Sequence, residues 1–201
     1  MIKLYFAPRT RSVRILWLLE ELGLPYELAR VEFKPTATRF FIQDTPTGKL
    51  PTIEDDGVVM AESGAIIEYL LEKYGTGRLA PPPGSPARAP YLQWFHFAES
   101  TAFPPMGIVV WLTTYRDDAV RHPEVVADAR ARAQSGLDQV ERALAGNDYL
   151  LGSEFTAADI MMGFTLYAAQ ILDLLAPRHV NIAAYLARLM ARPALQKAMA
   201  A

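Results

Sequence analysis

The sequence predicts a chain in two parts, an α/β domain followed by an all-α domain, and three observations carry that prediction. Apolar runs with strand and helix periods alternate over the first 75 residues, no convincing strand follows residue 91, and Pro81-Pro82-Pro83-Gly84 with Pro86 lies between the two regions. Proline-rich chain favours extended backbone and cannot continue a helix. The stretch 77–90 is therefore the expected linker between a domain at 1–76 and another at 91–201.

The first element is an apolar strand over Ile2 to Phe6, and the second a helix over Ser12 to Leu22 that Gly23 closes. Val13, Leu16, Leu19 and Leu22 mark the buried face of that helix, and Ser12, directly before Val13, is read as its cap. A second strand at 26–31 leads to a less regular segment with Phe40, Phe41 and Ile42. Thr52-Ile53-Glu54 and Val58-Val59-Met60 flank Asp55-Asp56-Gly57, a β-hairpin signal in which Gly supplies the positive φ of a tight turn. Ala65, Ile66, Ile67, Tyr69, Leu70, Leu71 and Tyr74 then repeat with helical spacing up to Gly75, with Ser63 as the expected N-cap. The order β-α-β-α-β-β-α gives a small mixed sheet with helices on both faces, a thioredoxin-like arrangement.

Helical periods fill the second region at 91–115, 123–145, 156–175 and 181–191, with a kink expected where Pro104-Pro105 and Gly107 interrupt the first of them. The alanine-rich tail is expected to reflect helix propensity or a fraying end. Thr156-Ala157-Ala158-Asp159 is a capping box with Asp at N3, and Phe155 can staple onto Ile160. Thr156 and Asp159 are accordingly given a folding role, the cap being worth about 1 kcal/mol.

Composition narrows the chemistry. The chain has no cysteine, which excludes disulfides, zinc–thiolate sites and any protein thiol nucleophile, so thiol chemistry here would use a sulfur that the ligand brings. A net charge of −2 gives no broad attraction to nucleic acid. No run resembles a membrane span or secretory signal, and a cytoplasmic protein is expected. His96, His122 and His179 lack metal-ligand spacing and are read as ordinary surface or interface histidines, with no metal. Gly48-Lys49-Leu50-Pro51 reads as a turn into an edge strand where a cis bond is tolerated and where Leu50 offers its backbone to a ligand. Glu62-Ser63 opens a helix whose N-terminal N–H groups and partial positive charge suit a ligand carboxylate.

Taken in order, Pro8-Arg9-Thr10-Arg11-Ser12, the helix Val13 to Leu22, Pro46-Thr47-Gly48-Lys49-Leu50-Pro51, Glu62-Ser63 and Phe155-Thr156-Ala157-Ala158-Asp159 resemble the cytosolic glutathione transferase superfamily, most closely its bacterial and fungal members with a serine or threonine near the first helix. The resemblance covers nearly the whole chain. It implies a homodimer that binds glutathione as co-substrate in the first domain and a small apolar electrophile against the second, in a detoxification chemistry. It implies further that Leu50, before the cis-proline Pro51, pairs its backbone with the cysteinyl part of glutathione, that Glu62 takes the γ-glutamyl ammonium, and that Ser63 takes the α-carboxylate. Lys49 is equally a partner for the glycyl carboxylate and a solvated turn lysine.

A free thiol with a pKa near 8.5 is only a few per cent ionised at neutral pH, and lowering that pKa by about two units needs roughly 2.7 kcal/mol of preferential interaction with the anion. One hydroxyl donor and a helix N-terminus supply an energy of that size. Tyr5, Thr10 and Ser12 are the candidate catalytic hydroxyls, and alignment to the family's first helix favours Thr10. Arg9 and Arg11 add positive charge beside the thiolate or are solvated loop arginines. For the electrophile, Phe103, Met106, Trp111 and Tyr115 are candidate apolar liners, with bundle core the competing role for Phe103 and for neighbouring Val110. Glutathione-dependent peroxide or disulfide reduction would use the same thiolate, and a non-catalytic adaptor of the same fold would have no need of Glu62-Ser63.

Overall fold

The structure, a computed structural model, describes residues 1–32, 44–116 and 121–201. It divides into two compact units, Met1–Ala80 with Met190–Ala201, and Pro81–Leu189. The first contains β1 (Ile2–Phe6), α1 (Ser12–Leu22), β2 (Tyr26–Arg30), β3 (Thr52–Asp55), β4 (Val58–Ala61) and α2 (Ser63–Tyr74). The second contains α3 (Arg88–Phe97), α4 (Phe103–Val110), α5 (Pro123–Ala143), α6 (Ala157–Ile171) and α7 (Val180–Met190), of which Met190 falls with the first unit, as does α8 (Pro193–Ala200). Phe40, Phe41 and Ile42, and the helix expected between the second and third strands, lie outside the described residues.

The sheet is four-stranded in the order β2-β1-β3-β4, with β1 parallel to β2 and antiparallel to β3, and β3 antiparallel to β4. Ile2, Leu4 and Phe6 alternate along β1 onto one buried face, as the period of two requires. β3 is an interior strand, not the edge strand that Pro51 suggested. Pro51 lies just outside the ladder that begins at Thr52, so its missing N–H costs no strand pairing. The Leu50–Pro51 bond is cis. Among the described residues the edge strands are β2 and β4, and on β4 Val58 and Val59 are exposed.

Helix α1 is buried around most of its circumference and not along one face only, with Arg14, Ile15, Trp17 and Leu18 inside as well as the expected residues. α8 packs on it, as do α2 and β1. The tail is thus an ordered helix, and charge fixes its place: Arg192 donates to both carboxylate oxygens of Glu21 at 2.7 and 2.8 Å, and Lys197 reaches Glu20 at 2.8 Å. Trp17 adds its indole N–H to Glu21 at 2.8 Å. Gly23, in the left-handed region at φ 67°, ends α1, and Arg78 covers the freed Leu22 carbonyl at 3.1 Å.

The hairpin is tied to the end of α2 through the buried carboxylate of Asp55, which accepts from Lys73 Nζ at 2.8 Å, Tyr74 OH at 2.8 Å and Tyr69 OH at 3.0 Å. Burial opposes that charge, but the donors outweigh it and hold the carboxyl below its ordinary 3.8. A carboxyl with a depressed folded-state pKa gives stability that is complete above the unfolded value and lost as pH falls through the folded one. The thermal midpoint should therefore drop as pH is lowered from about 5 to below 3, and Asp55→Asn should have a lower midpoint at neutral pH and a flatter acid limb. An acid limb of unchanged slope in the variant would take Asp55 out of the acid response.

In the second unit the expected helix at 91–115 is segmented. α3 and α4 are joined by a π turn at Ala98–Ala102, and a second π turn, Trp111–Tyr115, follows α4. Pro104 and Pro105 fall in the first turn of α4, where missing N–H groups are tolerated, so the interruption expected there takes the form of π turns on either side. Glu141 of α5 caps α7, its carboxylate accepting from the N–H groups of Asn181 and Ile182 at 2.9 Å each. His179, expected as a surface or interface histidine, is buried: Nδ1 accepts from the Ala176 N–H at 3.1 Å and Nε2 bonds Asp138 at 2.8 Å. His96 and His122 are exposed. At the start of α6 the capping box forms, with Asp159 accepting from the Thr156 N–H at 2.8 Å and its hydroxyl at 3.1 Å, from the Leu150 N–H at 3.0 Å and from Tyr185 OH at 2.8 Å.

Candidate functional site

The polar groups that could bind and activate a thiol converge at two helix N-termini of the first unit. The loop from Ala7 enters α1 through Arg9, which adopts φ 62°, an uncommon conformation for a side-chain-bearing residue. Arg9 is exposed and Arg11 half-buried. Behind that turn the hydroxyls of Thr10 and Ser12 lie 2.6 Å apart, and each also reaches the Ala7 carbonyl, at 2.8 and 3.0 Å. The Ala7 N–H donates to Ser12 Oγ at 3.2 Å, and the Ser12 N–H to Thr10 Oγ1 at 3.3 Å.

A hydroxyl has one proton, so two hydroxyls facing each other and one carbonyl share two donations. When Thr10 gives its proton to a ligand, Ser12 still has one to place on Thr10 Oγ1 or on Ala7. Exposure separates their roles: Thr10 keeps 9% of its surface, whereas Ser12 keeps none. Ser12 does not cap α1. It is the first helical residue, Arg11 occupies the cap, and no side chain bonds there, because the Ser12 hydroxyl is committed to Ala7 and Thr10.

Tyr5 is on β1 in the same unit, but its hydroxyl donates to Glu54 of β3, and the Lys3 ammonium lies 5.2 Å from its ring centre. That hydrogen bond to a carboxylate, with burial second, raises the phenol's pKa. Its single proton is given to Glu54, so it has none for a second anion while that bond holds. Its ring packs against the small apolar cluster of Ala7, Val31 and Leu50. Leu50 is buried in that cluster, and Lys49 is exposed on the turn before it. The turn is held by the Thr52 hydroxyl, which donates to the Lys49 carbonyl at 2.8 Å and bonds Thr47.

The second helix terminus carries Glu62 and Ser63. Glu62 is the N-cap of α2, exposed and at φ 70°, and Ser63 is its first residue and not its cap. The difference of one position matters because the hydroxyl of Ser63 is not spent on its own helix. It accepts a hydrogen bond from Arg14 Nη1 at 2.9 Å, joining α1 to α2 through a guanidinium with no exposed surface. Arg14 had no role in the sequence analysis beyond marking the first helix. An arginine in the run Val13-Arg14-Ile15 reads as the solvent side of an amphipathic helix, and only the burial of that side by tertiary packing shows otherwise.

The candidate liners Phe103, Met106, Trp111 and Tyr115 belong to the second unit. Met106 is fully buried and presents no surface, because α4 packs that side into the bundle. Phe103 is half-buried and stacks on Phe164 with ring centres 6.4 Å apart. Trp111 and Tyr115 share the second π turn, edge to face at 6.3 Å, and the Arg116 guanidinium lies 5.9 Å from the indole centre. Burial raises the Tyr115 phenol pKa. Among the described residues, no cluster of His, Asp and Glu could hold a metal ion, and no helix is long and apolar enough to cross a membrane.

Known proteins agree with this architecture over its full length. Residues 1–72 match the family model of the glutathione S-transferase N-terminal domain, and residues 123–188 that of the C-terminal domain. Glutathione S-transferase 3 of Schizosaccharomyces pombe is 33% identical over 96% of this chain and 85% of its own. Among solved structures, a glutathione transferase of Methylococcus capsulatus superposes with a TM-score of 0.84 at 29% identity, covering 100% of this chain and 98% of its own. A glutathione transferase family member from Pseudomonas fluorescens, solved with two glutathione molecules bound, gives 0.83 at 27% identity over 98% and 92%.

Proposed function

The chain belongs to the glutathione S-transferase family, and on that premise we propose that it binds glutathione in its first unit and adds the thiolate to small apolar electrophiles. The observation that carries this reading is the Thr10–Ser12 hydroxyl pair at the N-terminus of α1, in a chain with no thiol of its own.

Ser63 and the first turn of α2 receive the γ-glutamyl α-carboxylate, and the exposed carboxylate of Glu62 beside it receives the ammonium. The Leu50 backbone pairs with the cysteinyl residue, and Lys49 meets the glycyl carboxylate. Thr10 then donates its hydroxyl proton to the sulfur, stabilising the thiolate after the thiol proton has left to water. Ser12 keeps the Thr10 oxygen hydrogen-bonded while that donation is made. The positive end of α1 and the cations of Arg9 and Arg11 favour the same anion. The thiolate attacks the electrophilic carbon, forming the carbon–sulfur bond as the leaving group departs with its electron pair. Trp111 and Tyr115, with Phe103, form the apolar wall for that electrophile. A homodimer and a cytoplasmic detoxification role complete the reading.

The test is a pH titration of thiolate absorbance with glutathione bound to the purified protein. An apparent thiol pKa about two units below 8.5 is expected. Bound glutathione with an ordinary thiol pKa would replace transfer by carriage or an adaptor role. Turnover of a chloronitrobenzene against that of cumene hydroperoxide then separates conjugation from peroxide reduction.

A further inference from the structure

We propose that Arg14 is a positioning residue for glutathione capture, setting the hydroxyl of Ser63 with its proton toward the ligand and backing the seat with a fixed positive charge. The inference rests on the assignment of Ser63 to the γ-glutamyl carboxylate.

The geometry has one chemical solution. A guanidinium has only donors, so in the 2.9 Å bond the arginine donates and the Ser63 oxygen accepts. The serine proton is not used in that bond and remains available to an anion. A hydroxyl oxygen that accepts from a cation is also a stronger donor, because hydrogen bonds in a chain polarise one another. Neither residue is exposed beyond 4%, which keeps water from screening the charge behind the seat. Arginine suits this place better than lysine, since its planar donor array is held rigidly and it stays charged when buried.

The arrangement has a second consequence for the site. Arg14 lies two residues after Ser12, on the helix whose N-terminus carries the hydroxyl pair, so one short stretch of α1 serves both the central thiol and the γ-glutamyl end of the ligand. Ser12 supports the hydroxyl that meets the sulfur, and Arg14 supports the hydroxyl that meets the carboxylate. A purely structural arginine would brace α1 against α2 without regard to the charge of the ligand.

The experiment that separates these roles compares two peptides by calorimetry: glutathione, and its analogue with 4-aminobutanoyl in place of γ-glutamyl, which lacks the α-carboxylate. Wild-type protein should prefer glutathione. Arg14→Met should reduce that preference at least about tenfold, with a smaller further loss when it is added to Ser63→Ala. Where Arg14→Met does not fold, the same ratio is read in Arg14→Gln. In the wild-type protein, where folding is not at issue, the guanidinium nitrogen resonances of Arg14 should shift on addition of glutathione and not on addition of the analogue. A preference ratio unchanged by substitution at Arg14, or resonances indifferent to the carboxylate, would make Arg14 a structural brace and overturn the proposal. Wild-type protein that binds glutathione and its analogue equally would overturn the underlying assignment of Ser63, and wild-type protein that binds neither would overturn the glutathione reading itself; both also remove the proposal.

Discussion

Thr10→Ala is expected to lower turnover of a chloronitrobenzene by roughly two- to fourfold at pH 7, with glutathione affinity held within about fivefold. The size follows from ionisation. A bound thiol with a pKa of about 6.5 is roughly three-quarters thiolate at pH 7, and one returned to about 8.5 is only about 3% thiolate. The more basic thiolate is intrinsically more nucleophilic, by about six- to tenfold over two units at a Brønsted slope of about 0.4–0.5, which recovers most of that loss and leaves a net deficit of about two- to fourfold. The deficit should close near about pH 7.5 and reverse above it, where the variant's ligand ionises too, and widen toward acid pH, shifting the limb of the rate profile upward. Thr10 is the residue to change because it retains surface for a ligand to touch, whereas Ser12 retains none and Tyr5 donates to Glu54. A variant with unchanged turnover and an unchanged profile would pass the role to Ser12 or Tyr5.

Asp159→Ala should give the largest loss of stability in the molecule, about 3–5 kcal/mol, seen as a lower denaturation midpoint of the helical unit. Four donors converge on this carboxylate: the N–H groups of Leu150 and Thr156 and the hydroxyls of Thr156 and Tyr185. Alanine leaves all four without their acceptor in a place that water does not reach, and a buried donor left unmade costs about 1–3 kcal/mol. Burial raises the Asp159 pKa, and burial together with the neighbouring Asp159 charge raises that of Tyr185 well above the usual phenol, so Tyr185 remains a donor throughout the accessible pH range. Asp159→Asn should lose less, since one oxygen still accepts while the amide nitrogen meets two donors. A midpoint change corresponding to less than about 1 kcal/mol in the alanine variant would reduce the box to a simple helix cap.

Local pattern made much of this fold legible. The bounds of β1 and α1 follow from alternation, helical spacing and Gly23, and the capping box at Thr156 and Asp159 is written in four consecutive residues. Features set by distant partners were not legible. The anchoring of α8 depends on Glu20 and Glu21 finding Lys197 and Arg192 across more than 170 residues. The setting of His179 depends on Asp138 in α5, 41 residues earlier, and the use of Arg14 depends on the serine that opens α2. Ser12 and Ser63 were each expected to cap a helix because serine commonly does so. In both cases another partner, the Thr10–Ala7 turn or the Arg14 guanidinium, engages the hydroxyl instead.

The return of α8 to α1 bears on how the protein comes off the ribosome. In chain order the helical unit is inserted within the sheet-containing one, whose last helix is made only after every residue of the insert. A nascent chain ending in the proline-rich stretch has β1 and α1 but lacks the Arg192 and Lys197 contacts that hold the outer side of α1. Until those residues emerge, apolar surface on α1 stays uncovered, so the window of exposure to chaperones lasts for most of translation. Moving residues 190–201 ahead of Met1 through a flexible tether would shorten that window, at the cost of a linker beside the first strand.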